Sequence, residues 1–164
     1  MDLAIAACRK LGLPLKIVGT GKEEKSLKKL ASQSKNIEFL GSVSDQELHR
    51  FYEGARGLIF CALDEDFGMV PVEAMSHGTP VIALAQGGVL ETVIDGKTGV
   101  FFREPTVESL AGALGRFEKL GESEKLGEHC RKQAEKFGTE RFKRELLAFI
   151  DQQVYNKGLY AKST

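Results

Sequence analysis

Glu65 and Glu73 are separated by seven residues in the stretch DEDFGMVPVEAMSHGTPVIA, Asp64 to Ala83. Carboxylates accept hydrogen bonds from hydroxyl groups, so two of them suit a polyhydroxylated ligand such as a sugar joined to a ribose. They repel phosphate, which is better held by glycine-loop amides or basic side chains. Pro71 suits the first turn of a helix and Gly78 its stop, so the pattern predicts a helix from about Val70 to His77. Its free N–H groups and positive dipole end would face the same cleft as Phe67 and Gly68. Gly68 would also let the backbone approach a ligand closely. Two more glycine-rich turns, Gly19-Thr20-Gly21 and Gln86-Gly87-Gly88, offer amides of the same kind. Taken alone, the two glutamates fit a plainer role as well. Glu65 favours a helix N-terminus, and Glu73 is then an ordinary solvated residue. His49, His77 and His129 lack metal-ligand spacing, and Asp64 and Asp66 read as flanking loop acids rather than a chelating pair.

The elements that must position these residues are legible as short apolar runs: Leu15–Gly19, Ile37–Gly41, Gly57–Cys61, Pro80–Leu84 and Gly99–Phe102. Most are continuous rather than alternating, as strands buried on both faces are. Helical periodicity fills the gaps. Leu48, Phe51, Tyr52 and Ala55 share one face behind the capping-box pair Ser44 and Glu47. Lys22–Ser32 carries Leu27, Leu30 and Ala31 on one side. Strand alternating with helix predicts an α/β fold, a three-layer Rossmann-like domain with a parallel sheet of about five strands. Ligands of such sheets bind beyond the carboxyl ends of the strands, where the three loops lie. After Phe102 only helices are expected, over Thr106–Leu120, Ser123–Lys136 and Thr139–Val154. The last has Phe142, Leu146, Phe149 and Ile150 on one stripe. The expected domain is 1–154, with 155–164 a tail. Leu3, Ala6, Ala7 and Leu11 make an opening helix with no strand before it.

The 164 residues suffice for one domain with a core. Lys+Arg and Asp+Glu both number 23, so the balance gives no case for a nucleic-acid partner or an anionic membrane surface. Cys8, Cys61 and Cys130 are odd in number and widely spaced, which fits free thiols in a reducing cytoplasm. No apolar run reaches the roughly 18 residues of a membrane span, and the first residues do not resemble a signal peptide.

The string E-D-F-G-x-x-P-x-E-A-M-x-x-G-x-P-V-I-A resembles the signature of the family-4 retaining glycosyltransferases of GT-B fold, whose hallmark is two glutamates separated by seven residues. LKIVGTG, IEFLGSVSDQELHRFYEGARGLIF and GGVLETVIDGKTGVFF resemble the other blocks of that family's nucleotide-binding domain, in order, over about Asp2 to Lys119. The resemblance implies the donor-binding half of a cytoplasmic enzyme. Such an enzyme moves a hexose (mannose or glucose) from a GDP- or UDP-sugar with retention, in glycan, lipopolysaccharide or glycolipid synthesis. By position, it makes Glu65 the residue at the transferred hexose, helped by the amides of Phe67, Gly68 and Met69. Glu73 then holds the ribose hydroxyls. Gly19 and Gly21 line the nucleotide crevice, Ser42 and Val43 edge the base, and Gly87 and Gly88 border the phosphates. Glu91 matches the E of the G-G-x-x-E-x-V block, where a helix-stabilising role competes with ligand contact. No metal and no cofactor beyond the co-substrate is implied.

The departures also set expectations. The family's domain opens on a strand ending in Gly-Arg, followed by a Lys, and those cations bind the donor diphosphate. This sequence starts at the helix after them, without the acceptor domain, which is the part implied as a partner and as the site of any peripheral membrane contact. An absent central strand would leave LKIVG and GLIFC to pair directly or to be bridged by another chain, and the chain alone would be inactive. Two other classes compete: a non-catalytic sugar-nucleotide-binding module serving a partner chain, and a flavodoxin-like signalling domain. The latter needs a phosphoacceptor aspartate at a strand end, and none is evident.

Overall fold

The computed structural model describes residues 1–63, 65–121, 123 and 125–156. Asp64 and the tail beyond Asn156, both assigned above, lie outside the described residues. The order is α1 (Asp2–Leu11), β1 (Leu15–Val18), α2 (Glu24–Ala31), β2 (Ile37–Gly41), α3 (Asp45–Gly54), β3 (Leu58–Phe60), α4 (Met69–Ser76), β4 (Val81–Leu84), α5 (Val89–Thr92), β5 (Gly99–Phe102), α6 (Val107–Leu120), α7 (Leu126–Ala134) and α8 (Thr139–Asn156). A 3₁₀ turn, Glu135–Phe137, follows α7. Helix α8 runs past the expected end at Val154, and β3 is shorter at both ends than its apolar run.

Local chemistry explains most boundaries. Ser44 caps α3 by accepting from the Glu47 N–H at 3.3 Å, while the Glu47 carboxylate takes the Ser44 N–H at 2.9 Å. The Ser44 N–H and then the Ser44 hydroxyl, both donating to the Glu47 carboxylate, hold that carboxyl below its usual pKa. Thr106 caps α6 through the Ser109 N–H. Gly78 ends α4 at φ 84°, in the left-handed region that glycine enters without a Cβ penalty.

The strands pack as expected in the second half of the chain. In β4, Ile82 and Leu84 face one cluster with Ala7, Val100, Phe102, Leu110, Ala113, Leu114 and Phe117. Val81 and Ala83 face the other, with Val72, Met75, Val89, Val93, Leu126 and Cys130. The strand is therefore buried on both faces, with α1 and α6 on one side and α4 and α7 on the other. Burial of each Val, Leu, Ile, Met or Phe side chain among these contributes about 1.5–3 kcal/mol. This is the three-layer α/β arrangement. Leu30, assigned to the packed face of α2, is instead exposed, and Ala31 does the packing against Ile5 and Ile17.

The expected single sheet is corrected. The five strands fall into two parallel sheets, β1–β2 and β3–β4–β5. β1 and β3 do not pair with each other, so direct closure is not the arrangement adopted. Helices, rather than strand pairing, link the two sheets. On α1, Ile5 joins the cluster of the first sheet while Ala7 joins that of the second. Elsewhere the Thr79 hydroxyl before β4 donates to the Tyr52 carbonyl at the end of α3. Helix packing thus joins the sheets without backbone pairing. Among the described residues β3 keeps one unpaired edge, and its three side chains are only half-buried, whereas those of β4 are buried.

All three cysteines are free. Burial pushes the Cys61 and Cys130 thiols up to about 11, and Cys8 up as well. A raised pKa keeps the thiol protonated below that value, and the thiolate is the reactive species. At pH 8 the native protein is expected to take up iodoacetamide far more slowly than the urea-unfolded chain. Intact mass over time is the measurement, and rapid labelling of the native protein would show that Cys61 is not held as described.

Candidate functional site

The site is built from two loops that touch. The β3–α4 loop carries Glu65, Asp66, Phe67 and Gly68, and the β4–α5 loop carries Gln86, Gly87 and Gly88. The Gly88 N–H donates to the Glu65 carbonyl at 3.0 Å. The Glu65 side chain turns toward the start of α4, where its Oε1 accepts the Gly68 N–H at 3.2 Å. One oxygen of the half-buried Glu65 is thus used to hold the loop, as the helix-terminus reading anticipated, and the carboxylate is fixed at the mouth of α4.

Glycine is required where the loops meet. A Cβ on Gly87 would run into the Glu65 carbonyl oxygen, and one on Gly88 would run into the Phe67 backbone. Gly68 is the N-cap residue of α4 at φ 81°, and a Cβ there would touch Val89 at 3.4 Å. The first turn of α4 therefore presents its amides beside Phe67, whose ring is 39 % exposed and meets the Phe137 ring edge-on at 5.7 Å. The structure brings Glu65, Phe67, Gly68, Met69, Gly87 and Gly88 together. Glu91 is exposed on the short α5, its N–H bonded to the Gly88 carbonyl at 3.1 Å.

A second pair of loops forms in the same way at the other sheet. The Gly19 N–H donates to the Gly41 carbonyl at 2.7 Å, and both glycines have positive φ. Ser42 and Val43 follow directly and lead into the cap of α3. Gly21 accepts the Glu24 N–H at 3.1 Å as α2 begins. Among the described residues no hydrogen bond joins this pair of loops to the Glu65 loop, so the candidate residues form two groups rather than one continuous rim. Each group lies at the carboxyl ends of its own parallel strands.

Glu73 is exposed on α4, near a seam between α3 and α4 that periodicity alone did not reveal. Glu73 lies one turn before His77, the C-cap residue of α4. Across from them on α3 are His49, Tyr52 and Glu53. The His49 and His77 ring centroids are 4.7 Å apart, Tyr52 stacks on His77 at 5.7 Å, and His77 Nδ1 is 3.6 Å from the Glu53 carboxylate. The helical spacing marked Tyr52 as core. Reading Glu73 with His77 as an i, i+4 pair would have suggested the facing polar set. Phe137 was missed too, and no local signal points to it. Among the described residues no three His, Cys, Asp or Glu side chains cluster as a metal-binding group.

The family model for "Glycosyl transferases group 1" matches residues 1–137. An uncharacterized glycosyltransferase of Methanocaldococcus jannaschii is 31% identical over 144 residues, which is 86% of this chain and 41% of that protein. The alpha-1,3/1,6-mannosyltransferase ALG2 of Mus musculus is 32% identical over 136 residues, covering 79% of this chain and 32% of its own. Among solved structures, the pneumococcal O-GlcNAc transferase GtfA, in complex with UDP and GlcNAc, superposes with a TM-score of 0.76. Its sequence identity is 19%, over 92% of this chain and 32% of that one, so the likeness is one of fold. The chain spans 41% or less of the length of these relatives.

Proposed function

We propose that this chain, which belongs to the group 1 glycosyl transferases, is the donor-binding half of an enzyme that moves a hexose from a nucleotide sugar with retention. The observation that carries this reading is the joined pair of loops around Glu65. A carboxylate, the amides at the start of α4 and the Gly87–Gly88 turn packed against the Glu65–Phe67 backbone lie side by side. Glu65 offers its second oxygen to hexose hydroxyls. The amides of Phe67 and Met69 help orient the sugar while that of Gly68 holds Glu65, and the helix end favours the negative diphosphate beside Gly87 and Gly88. Glu73 takes the ribose hydroxyls, and the loops at Gly19–Gly21 and Gly41–Val43 take the nucleoside. In such a transfer the chemical step is helped by donors aimed at the charge that develops on the leaving diphosphate. The amides here supply part of that stabilisation.

Glu73→Ala is expected to weaken binding of the best nucleotide sugar without lowering the melting temperature. Loss of a hydrogen bond to a charged group amounts to about 1.5–3 kcal/mol, or roughly 10–150-fold in Kd. Calorimetric titration with GDP-, UDP- and ADP-hexoses is the test. Equal affinity of wild type and variant would remove Glu73 from the site, and no binding of any of these sugars would overturn the assignment itself.

A further inference from the structure

We propose that the depression between the C-terminal ends of α1 and α2 is an anion site that takes a phosphomonoester group. The chain is neutral overall, yet residues 1–36 carry a formal charge of +5, from eight Lys or Arg against three Asp or Glu. Arg9 of α1 and Lys29 of α2 line a depression of about 400 Å³ with Ser26, Leu30, Ser32 and Gln33, and no carboxylate lines it. The neighbouring Lys10 and Lys28 are taken up by Glu108 and Glu24. Arg9 instead meets a neutral group. One of its Nη atoms donates to the Leu30 carbonyl at 2.7 Å, which fixes the guanidinium across the end of α2 and leaves its other N–H groups for a ligand. The exposed Gln33 side chain adds an amide donor. Glu23 stands outside the lining, its carboxylate held by the Ser26 hydroxyl at 3.0 Å, and Lys25, one turn before Lys29 on the exposed side of α2, offsets it. Two positive charges match the dianion that a phosphomonoester becomes above its second pKa of about 6, and a guanidinium meets phosphate oxygens two at a time. The site is separate from the loops assigned to the donor. α1 and α2 run into β1 and β2, so their C-terminal ends lie at the amino ends of these strands, whereas the Gly19 and Gly41 loops follow the carboxyl ends. A plainer role for Arg9 and Lys29 is to offset the negative dipole ends of the two helices, and the two roles differ in whether an anion binds.

The experiment titrates glycerol 3-phosphate into ¹⁵N-labelled protein at constant ionic strength. In parallel, the protein is sedimented with vesicles of phosphatidylcholine, alone or mixed equally with phosphatidic acid, whose headgroup is the same monoester. Wild type is compared with Arg9→Gln, Lys29→Gln, the double variant and Lys97→Gln, which removes one exposed charge in the turn before β5. Lys29→Gln leaves the Arg9 bond to Leu30 in place, so it stays informative if Arg9→Gln lowers the melting temperature. Saturable amide shifts are expected at Arg9, Lys29 and Gln33. Each single variant should weaken binding by about two- to fivefold, the double variant further, and Lys97→Gln not at all. Such binding of glycerol 3-phosphate marks a free phosphomonoester as the ligand. Sedimentation with phosphatidic acid alone, lost in the double variant and without saturable binding of glycerol 3-phosphate, marks the lipid headgroup instead. The proposal is overturned if neither probe binds, or if Arg9→Gln and Lys29→Gln weaken binding no more than Lys97→Gln does. The two cations then serve only the helix ends.

Discussion

Gly88→Ala is expected to eliminate donor binding and to lower the melting temperature by about 2–12 °C. Gly88 has φ −61°, which alanine adopts freely, so backbone strain is not the cause. The cause is contact. The new Cβ would overlap the Cα, carbonyl carbon and carbonyl oxygen of Phe67, and backbone atoms cannot rotate away as a side-chain tip can. Relief requires the two loops to part, which breaks the bond from the Gly88 N–H to the Glu65 carbonyl. Overpacking of this kind amounts to about 1–3 kcal/mol, and a chain of this size loses about 2–4 °C per kcal/mol. Separation of the loops also removes Glu65 from the amides of α4, which is why binding fails by more than the stability change. Gly115→Ala is the matched control. It lies within α6, where a Cβ meets nothing within 4 Å, and it should stabilise by about 0.5–1 kcal/mol with binding unchanged. Scanning calorimetry and donor titration read both effects. A Gly88→Ala protein that binds normally would show that the loops do not meet in solution.

Phe102→Ala should have the largest effect on stability, about 3–5 kcal/mol. Its ring is 1 % exposed at the end of β5, in the cluster that joins β4, β5, α6 and α1. Emptying it leaves a cavity between a sheet and helices fixed by their other contacts, so collapse into the space is limited. The Ala7 contact also gives α1 its hold on the second sheet, and the deletion should loosen the joint between the sheets. Against a typical domain stability of 5–15 kcal/mol this approaches unfolding at 37 °C. Phe149→Ala on α8 removes a similar ring that is 59 % exposed, and should fall within about 0.5 kcal/mol. Urea unfolding followed by far-UV circular dichroism gives the comparison. Equal midpoints for the two variants would contradict the burial described.

What the sequence disclosed was mostly local. Ser44 and Glu47 form the capping box they spell, Gly78 ends α4, and GVFF is β5 to the residue. Signals of this kind act over one turn or one strand, so a short window contains them. The break between LKIVG and GLIFC was legible, but not that the two strands stay unpaired, with α1 packing Ile5 on one sheet and Ala7 on the other. Periodicity is likewise blind to what covers a face. The stripe Phe142, Leu146, Phe149 and Ile150 reads as packed, yet each of these residues is exposed. At the site, the glutamate spacing and glycine turns named the residues, and α4 begins where Gly68 and Pro71 require. The contact of Gly88 with Phe67 and the stacking of Tyr52 on His77 come from distant segments meeting in space, and no short window holds both partners.

The central claim is that a nucleotide sugar lies across the Glu65 and Gly87–Gly88 loops. The most direct measurement is a titration of ¹⁵N-labelled protein with UDP- and GDP-hexoses, following amide chemical shifts, which registers even millimolar binding. The account predicts saturable shifts concentrated at Phe67, Gly68, Met69, Gly87 and Gly88, with smaller ones at Gly19 and Gly41 to Val43, and their loss in Gly88→Ala. Shifts confined to other surfaces, such as the Arg103 and Arg116 face beside α6, or none at millimolar ligand, would contradict it.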